Sequence, residues 1–183
     1  MFLKRILKKL IYRIRGEYTV ETLVGMGLTV GENFNPQLRV SLDPSHCWLI
    51  TIGDNVTMAP DVHVLAHDAS TCAYLGYARI GRVDIGNNVF IGAGSIILPG
   101  VTIGDDVVVG AGSVVSRSLE SGYVYAGNPA KKLCSIKEFC DKNKELMKTS
   151  PIYGEEYTLR LNISNDKKNE QKIALENSIG FVK

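Results

Sequence analysis

The chain has 183 residues, 45% of them hydrophobic, and a formal net charge of +2. This length suits one domain with appendages, and the near-neutral charge gives no general case for nucleic-acid binding. The four cysteines form no Cys-x-x-Cys pair and no disulfide framework, so we predict reduced thiols in a cytoplasmic protein. We expect neither a membrane span nor a signal peptide, because no apolar run is long enough for either.

Residues 1–17 are predicted to form a basic amphipathic helix. Between residues 2 and 15, apolar side chains recur at helical spacing, and lysines and arginines without any acid fill the other positions. One interpretation is a helix that caps the open end of the next domain and keeps its charges in water. The other is peripheral contact with the anionic inner face of a membrane. The first interpretation is favoured.

A six-residue repeat organises the middle of the chain, most clearly over 85–120. Each block opens with Ile or Val, and turn-prone Gly, Asn or Asp follows. A helix repeats its apolar face every 3.6 residues and a strand every two, so a period of six fits neither alone. It fits a short extended segment followed by a corner, which predicts an all-β solenoid. The blocks begin imperfectly at Val30, blur over 36–48, and return from Ile52 to His67.

The solenoid domain is predicted over 18–133, with a loop insertion at 68–84. The spacing from Val64 to Ile85 is 21 residues, which is not a multiple of six, so the chain leaves the solenoid there and returns. Long excursions from a rigid scaffold commonly carry binding function. Counting past the insertion places His67 at the corner where the loop departs, on the same edge as Gly100.

After the repeats, residues 122–133 are predicted to be irregular. Residues 134–183 form a separate extension, with a helix over 135–148 that starts at Ser135 as N-cap. The tail from Thr149 is polar and lysine-rich, and its pattern allows either a weak helix over 168–176 or partial disorder.

These features together resemble the hexapeptide-repeat acyltransferases. The resemblance is carried by the sixes, by the histidine before an insertion, and by the Ala-Gly-Asn-Pro-Ala-Lys segment that ends at Lys131. The resemblance covers about residues 30–133. Within the family, the chain is most similar to the maltose and galactoside O-acetyltransferase branch, including relatives that acetylate bacterial surface polysaccharides. This resemblance implies a left-handed parallel β-helix, a homotrimer with active sites between subunits, acetyl-CoA as cosubstrate in the groove between neighbouring helices, and no metal requirement.

The resemblance also implies roles for particular residues. His67 matches the catalytic histidine, and neutral imidazole is a suitable general base for a sugar hydroxyl that attacks a thioester. A backbone N–H near Ala93 is the implied oxyanion donor. Asp43 falls near the position of an acceptor-binding acid. Arg117 and Lys131 suit phosphate groups, and small residues suit a pantetheine arm. The implied coenzyme A set is Phe90, Ala93, Ala111, Ser116, Arg117 and Lys131.

The expected function is therefore acetyl transfer from acetyl-CoA to a hydroxyl of a sugar or surface glycan. An N-acetyltransferase or serine-type acetyltransferase of the same fold is an alternative, and a catalytically inactive scaffold is another. A metal-dependent protein of the γ-carbonic anhydrase type is suggested by His63 and His67, four residues apart. That alternative is weakened because the third ligand would have to be His46, which lies in an irregular stretch.

Overall fold

The computed structural model describes residues 18–183. The basic segment predicted over 1–17 lies outside the described residues, so both interpretations of it stay predictions. The chain divides into a first unit that ends at Ile136 and a second unit from Lys137 to Lys183. Among the helices of residues 18–183, none combines the length and the apolar character needed to cross a membrane.

Three parallel sheets build the first unit. The first sheet contains β1 (Thr29–Val30), β4 (Ile50–Ile52), β9 (Val83–Ile85) and β12 (Thr102–Ile103). The second contains β2 (Asn35–Pro36), β5 (Thr57–Met58), β10 (Phe90–Ile91), β13 (Val108–Val109), β15 (Tyr123–Ala126) and β16 (Lys131–Ser135). The third contains β3 (Ser41–Leu42), β6 (His63–Val64), β11 (Ile96–Ile97) and β14 (Val114–Val115).

The chain visits these sheets in rotation, and we call three consecutive strands, one from each sheet, a coil. Ile85 pairs with Ile103, and Ile97 pairs with Val115, each 18 residues along the chain. Three blocks of six therefore make one coil, as the repeat predicts. The earlier coils pair at longer offsets because extra residues precede β4 and β9. Every strand pair in the three sheets is parallel except β15 with β16.

The first and fifth residues of each block face the interior. The opening side chains of the central blocks are at most 3% exposed, and so are the fifth ones. Burying each such Val or Ile contributes about 1.5–3 kcal/mol relative to leaving it in water. Two fifth positions are Ser95 and Ser113, whose hydroxyls both donate to the Gly110 carbonyl, at 3.1 and 2.6 Å. The interior therefore stays hydrogen-bonded where the apolar pattern is broken.

The corners use the residues that tolerate left-handed backbone. Asn55, Asn88 and Asp106 have φ of 56°, 55° and 54° and lie one above another. Each amide donates to the next side chain in the stack, at 3.1 Å in both steps. Asn and Asp reach this backbone region more readily than other non-glycine residues, which explains why these types recur at the corner.

Helix α1 (Val20–Gly25) precedes the first coil. Thr19 caps it by accepting a hydrogen bond from the Thr22 N–H at 3.2 Å. Leu23 of this helix and Leu28 after it are at most 3% exposed and belong to the same buried core as the coils. Additional residues between β3 and β4 include a short 3-10 turn at Cys47–Leu49. Residues 36–48, whose register the sequence left blurred, are therefore part of a complete first coil.

The predicted insertion forms a small hairpin. Strand β7 (His67–Asp68) pairs antiparallel with β8 (Arg79–Ile80), and a 3-10 turn at Ala69–Thr71 and helix α2 (Cys72–Leu75) lie between them. The coil resumes at Val83 with β9, slightly before the predicted end of the insertion at residue 84. The Gly100 N–H donates to the Arg82 carbonyl at 3.0 Å, so the end of the insertion lies against Gly100.

The prediction of an irregular segment over 122–133 was wrong. Strand β15 extends the second sheet in parallel to β13, and β16 folds back against it. Tyr125 is 5% exposed, and its hydroxyl accepts from the Glu120 N–H at 3.0 Å. A buried aromatic side chain replaces the Ile or Val of the repeat, so these strands carry no six-residue signature.

Helix α3 (Ile136–Met147) follows β16, close to the predicted helix over 135–148. In the second unit, β17 (Ile152–Tyr153) pairs in parallel with β18 (Phe181–Val182). Between them lie 3-10 turns at Glu155–Tyr157 and Leu159–Leu161 and helix α4 (Asn165–Ala174), which Ser164 caps. Of the two readings of the tail, the helical one agrees with this arrangement, with the helix starting a few residues earlier than the pattern indicates.

Candidate active site

His67 lies at the corner between the third and first sheets. It comes three residues after β6, and Asp43 directly follows β3, the strand paired with β6. Because parallel neighbours end at the same edge, the two side chains meet. The His67 ring Nδ1–H donates to Asp43 Oδ2 at 2.5 Å. The His67 side chain is 34% exposed, so its ring is partly buried and partly in contact with solvent.

Asp43 is a buried carboxylate that accepts hydrogen bonds at both oxygens. Its side chain is 1% exposed, and Oδ2 also accepts from the backbone N–H groups of Ala66 and His67, at 3.0 and 2.9 Å. Oδ1 accepts from the Ser45 N–H at 3.0 Å. Burial alone would raise the pKa of this carboxyl, but the hydrogen bonds from His67, Ser45 and Ala66 outweigh it and hold the pKa below its ordinary value.

Asp43 faces the His67 ring rather than open solvent. The carboxylate lies behind the ring and presents almost no surface, and its expected contact with the acceptor stays a prediction. An ionised carboxylate accepts only, so Nδ1 of His67 carries a proton. In the neutral form of the ring, the lone pair is then on Nε2. Such an arrangement can orient an imidazole to accept a proton at Nε2.

His46 lies beside His67, Trp48 lies beside His46, and neither was predicted to take part in acetyl transfer. The His46 ring centroid is 5.4 Å from that of His67 and 5.2 Å from that of Trp48. The Trp48 side chain is 56% exposed, whereas His46 Nδ1 is buried and has no hydrogen-bond partner among the described residues. Their position could have indicated this proximity, because the extra residues between β3 and β4 occupy the same corner as the later insertion.

The six residues implied for coenzyme A are all exposed but lie in different places. Phe90 is in β10, and Ala93 and Ala111 stack at the corner between the second and third sheets. Ser116 and Arg117 directly follow β14, at the corner that also carries His67. Lys131 begins β16. Two corners of the coil thus share the implied set.

Ala93 and His67 are not brought together within one chain. A whole six-residue side of the coil, the one that contains the third sheet, separates their corners. At about 3.3 Å per residue, that side is on the order of 15–20 Å long. A thioester held beside Ala93 would therefore not reach the His67 of the same chain.

Asp43, His46 and His67 could also hold a metal ion. One ligand atom from each lies within 4.8 Å of the other two. His63, the other member of the histidine pair suggested by the sequence, is exposed on β6. It lines a separate cleft of about 770 Å³ at the first coil, together with Tyr18, Phe34 and Arg39. That cleft contains none of the predicted catalytic or coenzyme residues.

Comparison with known proteins gives consistent results. The family described as bacterial transferase hexapeptide (six repeats) matches residues 82–117. Protein CapG of Staphylococcus aureus is 40% identical over 183 residues, covering 96% of this chain and 95% of that protein.

Two solved structures share the fold. A galactoside acetyltransferase in complex with coenzyme A aligns with a TM-score of 0.57 and 33% identity, covering 64% of this chain and 59% of that one. A maltose O-acetyltransferase from Clostridium difficile 630 aligns with a TM-score of 0.52 and 36% identity, covering 61% and 60%. The chain thus matches somewhat less than two thirds of the length of either enzyme.

Proposed function

Because this chain belongs to the hexapeptide-repeat acetyltransferases, we propose that it transfers the acetyl group of acetyl-CoA to a hydroxyl of a sugar or surface glycan. The observation that carries the proposal is the partly exposed His67 imidazole, held through Nδ1 by the buried carboxylate of Asp43. The family resemblance supplies acetyl-CoA as cosubstrate, and a galactoside acetyltransferase similar to this chain is described in complex with coenzyme A.

In the proposed reaction, Nε2 of neutral His67 accepts the proton of the acceptor hydroxyl as its oxygen attacks the thioester carbonyl. Asp43 stabilises the imidazolium that forms. A backbone N–H near Ala93 donates to the oxyanion of the tetrahedral intermediate. The intermediate collapses by breaking the C–S bond, and the leaving thiolate takes the proton from His67. The products are the acetyl ester and free coenzyme A.

The separation of the two corners supports a site between subunits. His67 of one chain and Ala93 of another can face a common groove if copies pack side by side. We infer a left-handed β-helix and a homotrimer, in which three equivalent boundaries each form one site. Arg117, at the His67 corner, and Lys131 would then neutralise phosphate groups of acetyl-CoA.

Trp48 supports a sugar as the acceptor. Its exposed indole provides a large, rigid, amphipathic face on the His67 side of the coil. The apolar C–H face of a pyranose can stack on such a ring while its hydroxyls remain free to reach the base. A small amino acid acceptor would have no use for that surface.

The direct test is an acceptor screen with acetyl-CoA, measured as release of free thiol and followed by mass spectrometry of the product. We expect ester formation on saccharides or glycan repeats. Acetylation of amines alone would favour the N-acetyltransferase alternative, and acetylation of serine alone would favour the serine-type one. Absence of transfer to any hydroxyl or amine would favour the inactive scaffold.

Replacing Asp43 with Asn is expected to lower turnover on the order of 10²-fold or more, because the ring loses the charge that fixes its tautomer and stabilises imidazolium. The Michaelis constant for acetyl-CoA should change little. Asp61→Asn, which neutralises an exposed carboxylate paired with Arg39, is the matched control. Equal turnover in the two variants would contradict the role given to Asp43.

The same variant has a predicted pH signature in stability. The folded-state pKa of Asp43 is lowered, so its ionised form stabilises the fold above the unfolded-state pKa of about 4. That contribution is lost as pH falls through the folded-state pKa. Chemical denaturation should show wild type and Asp43→Asn differing most near neutral pH and converging below about pH 4.

Replacing Arg117 with Ala is expected to raise the Michaelis constant for acetyl-CoA by about tenfold, because one charge-assisted phosphate contact is lost. The constant for the acceptor should change less. Arg160→Ala removes an exposed arginine of the second unit and serves as control. Steady-state kinetics with each substrate varied in turn separates the two constants, and a larger effect on the acceptor would refute the assignment.

A further inference from the structure

We propose that Asp43, His46 and His67 form an inhibitory site for a late first-row divalent metal ion, with Zn²⁺ as the representative ion. That the ion binds follows from the geometry of the three residues alone. That it inhibits rests on the proposed function of His67. Two imidazoles and a carboxylate without sulfur match the ligand chemistry of Zn²⁺. The three ligand residues come from two separate stretches of the sequence, one before β4 and one before the insertion, and the fold brings them together.

The distances are close to those of an occupied site. Tetrahedral Zn²⁺ has ligand bonds of about 2.0–2.2 Å, so its ligand atoms lie about 3.3 Å apart. The Asp43 Oδ2 and His67 Nδ1 atoms are 2.5 Å apart and would move slightly apart. One ligand atom of His46 lies within 4.8 Å of one from each of the other two residues and would move slightly closer. Small rotations of the two rings achieve both changes. The partly exposed side of His67 leaves an entry path and room for water as a fourth ligand.

His46 provides an independent indication that this cluster binds a ligand. Its Nδ1 is buried without a hydrogen-bond partner among residues 18–183, and leaving such an atom unpaired costs free energy. The nearby Cys47 sulfur contributes nothing to the cluster, since it lies 3.7 Å from the carbonyls of Leu23 and Met26 and contacts them instead. A metal ion would give the His46 ring a partner.

Metal binding would inhibit the reaction by changing the tautomer of His67. When the neutral His67 ring donates from Nδ1 to Asp43, Nε2 carries the lone pair. A metal ion bound at Nδ1 requires the lone pair there, so the ring proton must move to Nε2. Nε2 then cannot accept the proton of an acceptor hydroxyl. The ion also occupies the Asp43 oxygen that would stabilise imidazolium. No net proton is released, and nothing is oxidised or reduced.

The test is a Zn²⁺ titration of chelator-stripped, full-length protein against a chromogenic zinc indicator, alongside thiol-release assays at the same free Zn²⁺. The wild type should bind one ion per chain and lose activity in parallel with occupancy. His46→Asn should bind at least about tenfold more weakly and require correspondingly more Zn²⁺ for half-inhibition. His63→Asn, which removes an exposed histidine outside the cluster, should behave as wild type in both measurements.

Equal zinc affinity of His46→Asn and wild type, with circular dichroism showing both folded, would overturn the site. Full occupancy with an unchanged rate would overturn the inhibition, and a rate that rises with zinc would do the same. If no acceptor is acetylated under any condition, the proposed function fails, but the indicator titration still decides whether the site exists.

Discussion

Replacing His67 with Ala is expected to reduce turnover by about 10³-fold, within the usual range of 10²–10⁴ for loss of a general base. The neighbouring Asp43 cannot take its part, because that carboxylate is buried and its pKa is held below the ordinary value. Affinity for coenzyme A should be unchanged, because the residues implied for that ligand are other exposed positions. Thiol release and calorimetric binding of coenzyme A measure the two quantities separately.

His63→Ala is the matched control, since it removes an exposed imidazole at the other end of the same short segment. It should keep near-wild-type turnover. Sedimentation of His67→Ala should also match wild type, because a side chain that is one third exposed contributes little to the buried core. A near-wild-type rate in His67→Ala would remove this residue from the mechanism and leave only the fold and its family standing.

The central fold was predictable because its physics is local and repeated. An Ile or Val at the start of each block and an Asn, Asp or Gly at each corner encode burial and backbone conformation within six residues. Ile85, Ile91, Ile97, Ile103 and Val109 all occupy the interior, as the period predicts. Where another interaction replaces the repeat, prediction failed. Strand β15 depends on a buried tyrosine and on pairing with β13, neither of which a six-residue period records.

The candidate site shows the same limit. His67 was identified by its place before the insertion, but the structural partner that defines its chemistry is distant in the chain. Asp43 lies 24 residues earlier, and only the pairing of β3 with β6 reveals that it faces the ring from behind. His46 fell in the stretch with blurred register, so its approach to His67 could not be anticipated. Long-range pairing, rather than residue type, decides which side chains meet at this corner.

Co-expression of His67→Ala with Ala93→Trp is expected to restore activity that neither variant has alone. His67→Ala lacks the base, and the exposed indole of Ala93→Trp would fill the groove where the thioester is expected. Because the two positions occupy different corners of one chain, a productive site needs the His67 of one copy and the Ala93 of its neighbour. In a mixed oligomer, some boundaries combine two intact halves.

The expected recovery is quantitative. In the proposed trimer, every closed ring that contains both variants has one boundary with two intact halves, so about a third of the sites in the mixed trimers should be active. The inactive control is an oligomer in which every chain carries both His67→Ala and Ala93→Trp. A second control mixes the two purified homo-oligomers and tests whether subunits exchange. Thiol release from the co-expressed, doubly tagged and doubly purified oligomer measures the recovery. No recovery from mixed oligomers shown to contain both chains would contradict a site shared between neighbouring copies.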